Sequence, residues 1–188
     1  TPLTRLKLQL AMINQKNISE KMSKDIDEME KMLNDYLQFA KIQAQEDISK
    51  VNLINLFNDI KKDLNNKNLF LVNLENTNLT GRLSALKRCF ENVIQNGLSY
   101  GKKVYVSIQN GSNRVIITID DDGPGISEDQ YKNVFKPFYR LDKSRSLNQS
   151  GVGLGLAIVE DIINSHGGNI QLSKSSYNGL RVKISLPF

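Results

Sequence analysis

The sequence predicts an α+β chain, with a two-helix hairpin over residues 1–45 and an α/β sandwich over 47–188. Three observations predict this. Residues 1–45 contain no glycine and a single proline, at position 2, where a helix tolerates it. After Gln45-Glu46-Asp47 the helical periodicity gives way to mixed helical and strand-like segments. These later segments do not alternate regularly, which favours helices laid on one face of a mixed sheet.

In the first part, Leu3, Leu6, Leu10 and Ile13 recur by threes and fours, as do Met22, Ile26, Met29, Leu33, Leu37 and Ala40. Each helix therefore has one apolar seam, and residues 14–19 make the turn. A hairpin with one seam per helix cannot cover its apolar surface alone. Two copies can form a four-helix bundle, so a homodimer is expected. The competing arrangement packs both seams on the chain's own second domain.

In the second part, the pattern predicts a helix over 52–64, a strand near 69–74, a long helix over 82–100, and strands at 103–109 and 114–120. A helix over about 153–166 follows a glycine-rich run, and 169–173 with 180–186 form a final hairpin. Residues 127–152 are rich in Ser, Asn, Gln and Lys and lack regular periodicity, which reads as a mobile loop of the length that serves as a lid.

Composition excludes several classes. The 188 residues allow one proper core and a smaller appendage. No run approaches the roughly 18 apolar residues of a membrane span, and Thr1-Pro2 does not open a signal peptide. A soluble piece is expected. The lone Cys89 excludes an internal disulfide and, without Cys or His companions, a zinc site; its apolar helical setting reads as a buried small hydrophobe. Lys and Arg number 25 against 20 Asp and Glu, a net charge of +5, but the basic residues are dispersed among acidic ones. Nucleic-acid binding is not indicated.

Four segments carry chemistry. Asn92 and Asn96 are four apart and share a helix face, with Tyr100 one turn further. Mg²⁺ keeps most of its waters and needs only one or two protein oxygens, so an Asn amide suffices. Asn96 is assigned to the metal and Asn92 to support of the metal or a phosphate. Asp121 closes the apolar strand 115–119, and Gly123-Pro124-Gly125 then turns sharply into Ile126 where a side chain would block close approach. Gly151-Val152-Gly153-Leu154-Gly155-Leu156 precedes a helix, so its amides and the helix N-terminus can meet phosphate oxygens. It does not follow a strand, as a dinucleotide fingerprint requires.

Phe135 and Phe138 read as core anchors at the stem of the lid, and Arg140 and Arg145 within it are placed to clamp phosphates. His166, the only histidine, ends a helix before Gly167-Gly168, where a cation suits the helix dipole. A structural role is expected for it.

In order, Asn92-x-x-x-Asn96, Asp121-Asp122-Gly123-Pro124-Gly125, Phe135-x-x-Phe138 and Gly151-Val-Gly153-Leu-Gly155 resemble the N, G1, F and G2 boxes of sensor histidine kinases. Those kinases share a superfamily with Hsp90, MutL and type II topoisomerases. Thr1-Pro2-Leu3-Thr4-Arg5 and Asp121-Asp122-Gly123-Pro124-Gly125-Ile126 look like the EnvZ type. The resemblance implies a Mg·ATP site in which Asp121 accepts the adenine amino proton and Asp122 is the variable position. It implies that 1–45 is most of a dimerisation and histidine-phosphotransfer hairpin and 47–188 a catalytic ATP-binding domain. A full-length protein would pass phosphate from ATP to His, and then to an Asp of a response regulator.

The first five residues resemble those about one helical turn past the phosphoacceptor histidine, so the acceptor is expected just before Thr1. Thr1 matches the residue that positions water for regulator dephosphorylation. A cytoplasmic location is implied for this piece, with any membrane attachment through an upstream segment. Two positions depart from the pattern. Ser99 stands where many relatives carry Lys or Arg, leaving Lys102, Lys103 or a lid Arg to meet the phosphates. Gly97 replaces the usual Ala at about 1 kcal/mol of helix propensity.

Two other functions compete: an ATP-driven conformational switch of the Hsp90 or MutL kind, and a dimerisation scaffold with a degenerate nucleotide site. Hydrolysing relatives place a Glu four residues before the metal Asn as base for water. This chain has Asn92 there, and Glu91 is rotated about 100° away on the helix. Phosphoryl transfer to a side chain is favoured.

Overall fold

Apolar alternation at a period of two builds the sheet that positions everything else. In the computed structural model, which describes residues 22–23, 26–27, 29–30, 46–141 and 153–188, that sheet belongs to the second of two compact units, Thr1–Ala44 and Gln45–Phe188. In β4 (Val104–Asn110), Val104, Val106 and Ile108 are buried, and in β5 (Arg114–Asp121), Val115, Ile117 and Ile119 are. Val182, Ile184 and Leu186 continue the inner face across β7 (Leu180–Pro187). With β2 (Leu69–Leu74) and β6 (Asn169–Lys174) the strand order is β2-β4-β5-β7-β6. Only β2 and β4 pair in parallel; the other three pairings are antiparallel.

Three helices cover the inner face. Helix α1 (Leu53–Leu64) buries Leu53, Leu56, Phe57 and Ile60. It starts at an Asn52 side-chain cap on the Asn55 amide and stops at left-handed Asn65. Helix α2 (Leu83–Tyr100) buries Ala85, Leu86, Cys89, Phe90, Val93, Ile94 and Gly97, a stripe spaced by threes and fours. Helix α3 (Gly155–Ser165) buries Ile158, Val159, Ile162 and Ile163. The Phe57 and Phe90 rings meet at 4.7 Å between centroids, joining α1 to α2. Each fully buried side chain of this size contributes about 1.5–3 kcal/mol relative to an exposed one. Cys89 is fully buried among them, and burial pushes its thiol pKa up, so it is packing rather than chemistry.

Two segments differ from the sequence expectation. Strands β1 (Ser49–Asn52) and β3 (Asn78–Gly81) form a separate antiparallel pair. Each has only four residues, too few to show a period. The stretch 127–152, read as a mobile loop, begins with a 3-10 turn at Glu128–Gln130 and continues as linked turns to Tyr139, with Val134 buried. Residues 142–152 lie outside the described residues. In the first unit, residues 22–23, 26–27 and 29–30 are helical. Ile26 is buried there, while Met22 and Met29 are exposed. The rest of the expected hairpin, including the turn at 14–19 and Thr1, lies outside the described residues.

Candidate functional site

The Asn stripe of α2 faces the start of α3. A Cβ built on Gly155 would lie 3.5 Å from Asn92 Oδ1 and 3.7 Å from Asn96 Nδ2, so both amides reach the first residue of that helix. Both residues are half-buried. Among the described residues, the α3 N-cap, Leu154, makes no side-chain cap bond, and no acidic residue stands in the first turn, so the helix does not satisfy its own leading amides, which suit an anion.

Strand period places Asp121 on the same side. Val115, Ile117 and Ile119 point at the helices, and so does Asp121 two residues further, where it is 9 % exposed. Its Oδ1 accepts the Gly123 N–H at 2.8 Å and the Leu180 N–H at 3.1 Å. Burial raises its pKa above the ordinary carboxylate range; the two amides pull it down, and the neighbouring Asp122 and Asp120 charges add to the rise.

Gly97 lies under Asp121, and here the expected helix-propensity cost is offset by fit. A Cβ at 97 would stand 2.7 Å from Val104 Cγ2 and 3.3 Å from Asp121 Cβ, so the glycine lets α2 close on the sheet. The adjacent carboxylates have other tasks. Asp120 faces the outer side of the sheet and takes a bidentate ion pair from Arg181, at 2.8 and 2.9 Å. Asp122 Oδ1 accepts the Lys102 and Lys103 amides at 2.6 and 2.8 Å, and the Lys103 amide is the main cause of its lowered pKa.

The turn after Asp121 uses Gly125 at φ 71°, against the Gly179 carbonyl, with Ile126 half-buried beyond it. Gly153 has φ 77° and its carbonyl accepts the Phe138 N–H at 2.9 Å. Phe138 corrects an expectation. Its ring is 62 % exposed and its own φ is 65°, so the backbone rather than the ring holds this stem. Phe135 is half-buried, in a shallow groove with Tyr131, Glu160 and Leu172. Leu154 is buried and Leu156 half-buried, whereas Tyr100, Lys103 and Arg140 are exposed. Arg145, Gly151 and Val152 lie outside the described residues. Ser99 donates its hydroxyl to the Gln95 carbonyl of its own helix.

His166 is structural in a different way from the expected helix-end cation. Its Nε2 accepts the Arg82 N–H at 3.1 Å, so Nδ1–H donates to the Ile162 carbonyl at 2.7 Å. Both nitrogens are engaged by backbone, which requires the neutral ring. Glu91, one residue before Asn92 on α2, has its Oε1 4.0 Å from Lys87 Nζ, and partial burial raises its pKa.

Sequence reasoning missed Gly179 and Leu180. Position 179 reads as an ordinary hairpin glycine, and its contact with a residue 58 positions earlier leaves no local pattern. Among the described residues, no three His, Cys, Asp or Glu side chains are grouped to hold a metal.

Residues 81–188 match the family described as Histidine kinase-, DNA gyrase B-, and HSP90-like ATPase. The sensor histidine kinase GtrS of Pseudomonas aeruginosa is 34% identical over 189 residues, covering 100% of this chain and 39% of GtrS. The sensor histidine kinase CpxA of Escherichia coli is 31% identical over 203 residues, covering 100% of this chain and 44% of CpxA. The chain thus spans less than half the length of these relatives. Among solved structures, the ATP binding domain of PrrB from Mycobacterium tuberculosis aligns with a TM-score of 0.62 at 27% identity, over 76% of this chain and 98% of that one.

Proposed function

The chain belongs to the histidine kinase-, DNA gyrase B- and HSP90-like ATPase family, and from that membership we propose that it is the kinase core of a two-component sensor. In this reading 47–188 is the catalytic ATP-binding domain and 1–45 is most of a dimerisation and phosphotransfer hairpin. The observation that carries it is the meeting of Asn92 and Asn96 with the N-terminus of α3 at Gly155, on the side of the sheet to which Asp121 points.

Each group then has a task. The Asp121 carboxylate accepts from the adenine amino group while Gly123 and Leu180 hold it in place. The first amides of α3 and the glycine run take phosphate oxygens. Asn96, supported by Asn92, offers the oxygen that a phosphate-borne Mg²⁺ requires, and the donor set fits because such an ion needs few protein ligands. Bound Mg²⁺ would neutralise charge that develops on the phosphates. Gly123, Gly125 and Gly153 keep side chains out of the space beside the turn and the phosphate run.

The acceptor of the γ-phosphoryl group is a histidine outside these 188 residues, since His166 is the only one in the sequence and both its nitrogens are committed. Transfer breaks the phosphorus–oxygen bond to ADP and forms a phosphorus–nitrogen bond on that imidazole. The position four before Asn96 holds Asn92, and Glu91 is offset about 100° round the helix beside Lys87, which favours transfer over hydrolysis. A homodimer through 1–45, a receiver-domain partner and a phosphatase role for Thr1 belong to the same reading. So does membrane attachment through a segment upstream. No helix among the described residues is long and apolar enough to cross a membrane.

The test is calorimetric titration with ATP, with and without Mg²⁺. Saturable binding strengthened by the ion is expected; absence of binding at millimolar ATP would remove this reading.

A further inference from the structure

Helix α2 begins without a local cap. Arg82 at the N-cap makes no side-chain cap bond and the first turn holds no acidic residue, so its leading amides need partners from elsewhere. Two distant side chains provide them. His166, at the end of α3, accepts from Arg82. Glu46 accepts from Ser84 at 2.5 Å and Ala85 at 3.1 Å, across 38 and 39 residues of sequence. Glu46 lies between the boundary of the two units and the start of β1 at Ser49. The helix it closes is the one that carries Asn92, about 12 Å along the axis from Ser84 at 1.5 Å per residue.

We propose that Glu46 is a positioning residue of the nucleotide site. By closing the α2 N-terminus it fixes where Asn92 and Asn96 stand against Gly155, so release of Glu46 weakens Mg·ATP binding. The carboxylate is the right group for this, because it satisfies two amides at once and its charge suits the positive end of the helix. Linkage makes the effect reciprocal: bound nucleotide tightens the docking of Glu46 on α2, and release of Glu46 is felt at the Asn pair. Glu46 touches no nucleotide; it acts through α2.

The inference rests on the nucleotide reading above, and one set of titrations separates the two. The wild-type chain and Glu46→Ala and Glu46→Gln variants are titrated with Mg·ATP, and amide hydrogen exchange at Ser84 and Ala85 is followed with and without nucleotide. Glu46→Ala should raise the Kd about 3- to 10-fold, and Glu46→Gln, which keeps an acceptor, by less. Mg·ATP should slow exchange at Ser84 and Ala85 in the wild type and not in Glu46→Ala. A cap that serves stability alone would lower the melting temperature but leave the Kd and the nucleotide effect on exchange unchanged, and that result overturns the proposal. If Glu46→Ala does not fold, Glu46→Gln carries the same comparison. A wild type that binds no ATP overturns both readings, whereas equal binding by wild type and variants overturns this one alone.

Discussion

Gly179 lies directly against Asp121: a Cβ at position 179 would stand 2.1 Å from the carboxylate Oδ1 and 2.4 Å from the Asp121 carbonyl oxygen. Backbone and carboxylate together leave no room for a methyl group. Gly179→Ala should therefore displace the Asp121 side chain and cost about 1–3 kcal/mol of stability through overpacking. ATP affinity should fall at least about tenfold, since 1.4 kcal/mol corresponds to that factor. Thermal melting and titration of the variant check both, and unchanged ATP affinity would detach Gly179 from the site.

Asp121→Asn separates binding from stability. Burial holds the Asp121 carboxyl above the ordinary carboxylate range. With the folded pKa above the unfolded one, its contribution to stability is complete below roughly pH 4, the unfolded value, and is lost as pH rises through the folded pKa. Asn keeps an oxygen for the Gly123 and Leu180 amides and never ionises. The nucleotide-free variant should be at least as stable as the wild type at pH 7, with the difference closing towards pH 4, while discrimination of ATP from GTP disappears. Denaturant melts across that pH range and paired nucleotide titrations measure the two effects.

Much of this site was legible in the sequence and some was not. Asn92 and Asn96 could be placed together because helix period alone puts residues four apart on one face, and Asp121 could be singled out because it closes an apolar strand ahead of a glycine turn. Its inward direction is seen only in the folded strand, because Val115, Ile116 and Ile117 run together without alternation. The glycine run announced a close backbone approach, and of its described members Gly153 makes one, against the Phe138 and Tyr139 backbone. Gly179, Glu46 and the β1–β3 pair stayed hidden, because each depends on contacts across tens of residues that no local period records. Phe138 was misread because aromatic residues in a mixed segment usually pack inward, and a left-handed backbone at a non-glycine residue has no sequence signature.

With Asn96→Ala, nucleotide affinity should lose its dependence on Mg²⁺ while ATP binding without the ion changes little. Titrations with and without the ion read this directly. Persisting dependence would assign the metal to another oxygen.

His166→Ala should leave the Arg82 amide without its acceptor and cost about 1–3 kcal/mol of stability. Phosphoryl transfer at saturating Mg·ATP and below the melting temperature should persist, because His166 pins α3 to α2 rather than receiving phosphate. Chemical denaturation and a phosphotransfer assay on the same preparation distinguish these outcomes.

The most direct measurement of the kinase reading is phosphotransfer itself. The chain is incubated with γ-labelled Mg·ATP and a separately supplied helical hairpin that carries an acceptor histidine turn, and acid-labile label is followed. Label on the added hairpin, abolished when its histidine is replaced and still formed by His166→Ala at saturating Mg·ATP, is the predicted result. Firm Mg·ATP binding with no label on the hairpin, and steady release of inorganic phosphate instead, would contradict it and make the chain a hydrolysing switch.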